Sequence, residues 1–87
     1  MIFQYIGLTN GRSPEDVFPL DATSDALAQF IVQLPEHKRQ AERDRRIDAI
    51  HNRLINEGFP LEHAQAWSEL VADRSLARWI ELEEGAP

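Results

Sequence analysis

There is no cysteine among the 87 residues, which removes disulfide frameworks and thiolate metal sites from consideration together. That composition fits a reducing compartment, and a cytoplasmic location is the default expectation. Long hydrophobic runs are missing too: the uninterrupted apolar stretches span only a few residues, where a membrane-spanning helix needs about 20. The opening residues, MIFQYIGLTNGRS, lack the basic lead and long apolar middle of a signal peptide. Glycine occurs only four times and builds no phosphate-cradling loop. A chain this short buries roughly 60% of the surface its unfolded state exposes, enough for the modest core of one domain but not for a large internal pocket.

Catalytic constellations are equally sparse. Of the serines, Ser13 and Ser24 stand where helix caps are expected, and neither Ser68 nor Ser75 has a nucleophile elbow around it. His37, His51 and His63 lack the spacing of a zinc-binding helix, and no thiol is present to complete such a site. The acidic run Glu81-Leu82-Glu83-Glu84 has no glycine turn to converge its oxygens on a cation, and reads as a solvated helix end. The expectation is a protein that is not an enzyme, with no catalytic residues, no metal and no cofactor.

What the chain does have is an uneven charge. Nine basic residues stand against 15 acidic ones, for a net charge of −6, which opposes general attraction to nucleic acid or to an anionic membrane. Between Glu36 and Arg53, however, six basic and four acidic residues give net +2, leaving three basic and eleven acidic elsewhere, net −8. A dipolar distribution of this kind favours oriented contact with a partner protein or a second copy.

The element pattern is mainly α: a small bundle of about four helices preceded by a short N-terminal β-strand or extended arm. Ile2 to Ile6 is rich in β-branched and aromatic residues and reads as a strand, followed by a turn at Asn10-Gly11. Ser13-Pro14-Glu15-Asp16 combines an N-cap, a first-turn proline and early acids, the signature of a single helical turn. The arm and turn occupy 1–22 and the bundle 23–84, with 85–87 as a frayed tail. Thr23 or Ser24 is placed to cap a helix whose Leu27, Phe30, Ile31 and Leu34 form one stripe, ending before Pro35. The next helix runs from Glu36 to a left-handed cap at Gly58. Beyond Pro60, Leu61, Ala64, Trp67 and Val71 share a face that Leu76, Trp79 and Ile80 do not continue, which predicts a break near Asp73 and a final helix to about Glu83. The two tryptophans are expected to anchor the core between those last helices.

Within Glu36–Gly58 the apolar pattern changes halfway. Ile47, Ile50 and Leu54 recur at helical spacing, whereas the first half has no apolar side chain larger than Ala41. That leaves Lys38, Arg39, Arg43, Arg45 and Arg46 as the expected partner-binding surface, with a solvated helix laced by pairs such as Glu42 with Arg46 as the plainer explanation.

Two resemblances accompany this reading. Leu61 to Glu81, with a turn near Asp73, resembles a helix-turn-helix. The resemblance implies Arg74, Ser75 and Arg78 at base edges and Arg39 to Arg46 near phosphates. The usual turn glycine is absent, and the second helix ends in glutamates. Gly58-Phe59 followed by Ala64, Ala66 and Trp67 resembles the Gly-Phe loop and second helix of ubiquitin-associated domains, three-helix peptide and ubiquitin binders, with Glu57 in place of the usual methionine. No binding residues carry over from it. The leading expectation is a small cytoplasmic protein–protein interaction module, a regulator, adaptor or inhibitor of a larger protein. Homodimerisation is a further expectation, and DNA-binding regulation through the last two helices is the alternative.

Overall fold

Ser13 and Pro14 start the first helical element of the computed structural model, which describes residues 12–85. The strand expected over Ile2 to Ile6 lies outside the described residues. Proline has no N–H to leave unsatisfied at the first helical position, and the Asp16 carboxylate accepts the Ser13 N–H at 2.8 Å. The resulting turn, α1 (Pro14–Val17), leads through Phe18 and Pro19 into α2 (Leu20–Val32).

Helix α2 therefore begins earlier than Thr23 or Ser24. Glu15 accepts the Leu20 N–H at 2.7 Å, and the Pro19 carbonyl accepts from Thr23 at 2.8 Å, so early helical donors are met without a capping hydroxyl. Ser24 is not a cap at all; it is buried inside the helix. α2 ends at Val32, just short of Pro35, and α3 (Glu36–Asn56) follows directly.

Gly58 closes α3 as expected. Its φ of 99° is the left-handed conformation that glycine adopts without a Cβ penalty. Gly58 N–H bonds to Ile55 O at 3.0 Å and Phe59 N–H to Leu54 O at 3.1 Å, the paired bonds of a Schellman ending. Phe59 is turned back into the core.

The break expected near Asp73 is absent: α4 runs unbroken from Leu61 to Glu84. Its buried residues are Ala64, Ser68, Val71 and Ser75, spaced four, three and four apart, a single stripe along one helix. Two of the four are serines, and that is why apolar periodicity misses the stripe. Ser68 donates to Gln65 O at 2.9 Å and Ser75 to Ala72 O at 3.0 Å, so each hydroxyl is satisfied by its own helix and can be buried as a small residue. Leu61, Leu76 and Ile80 remain exposed instead.

Of the three long helices, α2 and α4 share the most extensive contact, α3 packs on α4 next, and α2 and α3 meet least. The ion pairs Asp21–Arg74 and Asp25–Arg78 advance together along both helices, so α2 runs parallel to α4, while the short connections at 33–35 and 57–60 turn α3 antiparallel to both. The core is Leu27, Ile31, Ile50, Leu54, Phe59, Ala64 and Val71, flanked by half-buried Phe18, Phe30, Ile47, Trp67 and Trp79. The tryptophans do not bridge two terminal helices, since both stand on α4. Trp67 instead donates its indole N–H to Phe18 O at 3.0 Å, which fixes the α1–α2 connection against α4.

Candidate functional site

The basic half of α3 is not a uniform free surface. Arg39 donates to Leu34 O at 2.9 Å and to Val32 O at 3.0 Å, satisfying carbonyls at the end of α2, and reaches Glu83 of α4 at 2.8 Å. Arg43 donates to Ala72 O at 3.0 Å and lies against Asp44, its side chain only 12% exposed. A half-helix without apolar side chains thus still packs, because arginine has a long aliphatic stem and a five-donor fork that can reach carbonyls. Arg39 and Arg43, expected as part of a partner-binding surface, are therefore engaged within the fold.

The remaining cations of the set divide further. Arg45 is the most exposed of the arginines in it and bonds to Glu42, while Arg46 shares the same carboxylate at 3.4 Å. Hydrogen bonding from Arg45, assisted by Arg46, holds the Glu42 carboxyl below the usual carboxylate range. Lys38 is exposed and makes no ion pair among the described residues. The guanidinium of Arg46 also lies 4.2 Å from the centre of the Phe30 ring, a cation–π contact between α3 and α2.

That contact marks one end of an open groove of about 620 Å³ between the two helices. Leu27 and Ile50 form its floor; Ala22, Thr23 and Ala26 line the α2 side and Ala49 the α3 side, with Phe18 and Phe30 toward the ends. Among the described residues, Arg46 and Arg53 are the charged ones that line it. Together with Arg39 they stand at seven-residue spacing, which puts all three on the side of α3 that faces α2. Small residues on both walls allow close approach of another backbone, and the two arginines supply positive charge along one rim. At the Arg53 end, Glu57 bonds to Arg12 and to Arg53, the latter at 3.0 Å, and these two cations hold its carboxyl below the usual range.

Sequence reasoning identified Arg46 but missed Arg53 and the apolar lining. The available signal was the alanine spacing at 22, 26 and 49 beside residues of the apolar stripe, since small residues on a helix mark where something else can come close.

The helix-turn-helix geometry is not formed, because α4 has no turn. Ser75 is buried with its hydroxyl engaged. Arg74 pairs with Asp21 at 2.6 Å and Arg78 with Asp25 at 2.6 Å and Glu81 at 3.2 Å, so both arginines are directed to acids of α2 and α4. Among the described residues no group of three or more His, Asp or Glu could hold a metal ion, and no helix is long and apolar enough to cross a membrane. Compared with models of protein families, with curated proteins and with solved structures, the chain matches none.

Proposed function

We propose that this protein is a small non-enzymatic interaction module whose α2–α3 groove receives an amphipathic helix of a partner protein, with acidic residues flanking that helix's apolar stripe. The observation that carries this reading is the pairing of an apolar floor, Leu27 and Ile50, with Arg46 and Arg53, the charged side chains among the described residues lining the groove, each shared with a neighbouring carboxylate, Glu42 and Glu57 respectively. The groove extends along two turns of each wall, about 12 Å from Ala22 to Phe30 at the helical rise. Helix-in-groove recognition uses such a surface, with apolar anchors on the floor and charges setting orientation.

Selection from a displayed library of helical peptides tests the proposal, with acid-flanked and base-flanked apolar stripes present in equal numbers. Acid-flanked peptides should be enriched, Ala26→Arg should abolish their binding, and Arg46→Glu with Arg53→Glu should invert the preference. Equal recovery of both classes, or binding indifferent to Ala26→Arg, would reject the groove as the site. Turnover of a substrate by the purified chain would reject the non-enzymatic reading.

A further inference from the structure

We propose that the helix received by the groove is α4 of a second copy of this chain, docked by its outward face, so that the protein assembles head to tail. This inference rests on the groove reading above and names its partner.

The first reason is what α4 leaves uncovered. Of the five large apolar side chains exposed among the described residues, four stand on α4: Leu61, Leu70, Leu76 and Ile80. Ala66, Leu70, Asp73, Ala77 and Ile80 are all exposed and recur four, three, four and three residues apart. They draw one stripe along α4, on the side turned away from its buried Ala64, Ser68, Val71 and Ser75. From Leu70 to Ile80 the helix rises about 15 Å, enough to fill a groove about 12 Å long.

Charge gives the second. Glu62 and Glu69 border the stripe, exposed and in no ion pair among the described residues. They stand seven residues apart, as Arg46 and Arg53 do, so each pair spans about 10 Å of its helix. Arg46 and Arg53 give their Nε atoms to Glu42 and Glu57. Their terminal nitrogens make no hydrogen bond among the described residues and can donate to a second carboxylate each. The outward face of α4 is thus an apolar stripe bordered by acids, which is the chemistry the groove selects.

Placement decides the form of the assembly. α4 packs on both α2 and α3, and none of its residues lines the groove. The groove and the outward face of α4 therefore lie on opposite sides of the bundle, and two copies cannot fill each other's grooves at once. Each contact is heterologous and leaves one groove and one α4 face open, so growth continues past two copies. Two turns of helix bury less than the roughly 1,200 Å² of a stable interface, which makes the association reversible and dependent on concentration.

Sedimentation velocity of the full chain, from low micromolar to about millimolar, provides the test. The average sedimentation coefficient should rise with concentration beyond the dimer value and fall back as salt is added. Ala26 and Leu70 are both exposed, so Ala26→Arg and Leu70→Arg leave the fold intact, which circular dichroism checks; each variant alone should stay monomeric. Mixed together they should form a dimer that grows no further, because one retains the α4 face and the other the groove. Replacing Glu62 and Glu69 by Gln should weaken association roughly fivefold, as expected for two exposed ion pairs. A chain that stays monomeric throughout overturns the self-docking; if acid-flanked library peptides still bind it, the groove reading stands with another partner, and if they do not, both readings fall. Association that survives either arginine variant, or a mixture that does not pair, also overturns the proposed contact.

Discussion

Arg39 and Lys38 are neighbours in sequence with opposite roles. Arg39 serves two carbonyls of the α2 end and a carboxylate on α4, and its side chain is 21% exposed. Lys38 faces outward. Arg39→Ala leaves partly buried carbonyls with fewer donors and should cost about 2 kcal/mol of unfolding free energy, read from the midpoint of chemical denaturation. Arg39→Lys should recover only part of that loss, because one ammonium group cannot reproduce the planar fork. Lys38→Ala should leave the midpoint unchanged within error. Equal, negligible effects of Arg39→Ala and Lys38→Ala would show that the arginine does not secure the α2–α3 junction. The division between securing and free cations was not legible from composition: both residue types register as surface charge, and only the position of nearby carbonyls separates them.

At the level of elements, helix boundaries set by local chemistry were legible in advance and a continuity set by packing was not. Pro14 starts a turn, Pro35 separates α2 from α3, and Gly58 ends α3, each through backbone geometry that the residue itself imposes. α4 was divided wrongly because its core stripe passes through Ser68 and Ser75, whose burial depends on the small residues and close contact of α2 and α4. The two readings make different demands on position 74. As the first residue of a new helix after Asp73, Arg74→Pro would be tolerated. Inside the continuous helix it removes a backbone hydrogen bond and clashes with the preceding turn, at about 3 kcal/mol or more, so substantial loss of helical circular dichroism at moderate denaturant is expected. Gly58→Ala, which forces a Cβ into the left-handed region, should cost about 1–2 kcal/mol, with the largest changes in amide exchange at the Leu54–Phe59 closure. A wild-type midpoint for either variant would contradict the geometry of that element.

Across the whole molecule, acids pair with arginines both within and between elements, and the groove is the side where the helices are left open. Asp25 of α2 is bonded to Arg78 of α4, Glu57 at the end of α3 to Arg12, and Glu42 to Arg45 within α3. Arg78, Arg12 and Arg45 respectively are the main cause of a lowered carboxyl pKa at each site. The folded protein consequently holds these carboxylates ionised at a pH where the unfolded chain has begun to protonate them. Since the unfolded chain binds more protons in that range, stability rises with pH through it. The contribution is fully present above the unfolded carboxyl values, about 4, and is lost as pH falls through the lower folded values. Unfolding midpoints in urea should therefore be level from neutral pH to about 5 and drop below about 4. All three carboxylates are half-buried but still reach solvent, so added salt should reduce the drop by partly screening them. The combined Asp25→Asn, Glu42→Gln and Glu57→Gln variant should have a lower midpoint at neutral pH and a shallower decline in acid, its curve approaching that of the parent at the acid end. An undiminished acid slope in that variant would assign the pH dependence to the other carboxylates and remove these three pairs from the account of how the bundle is held.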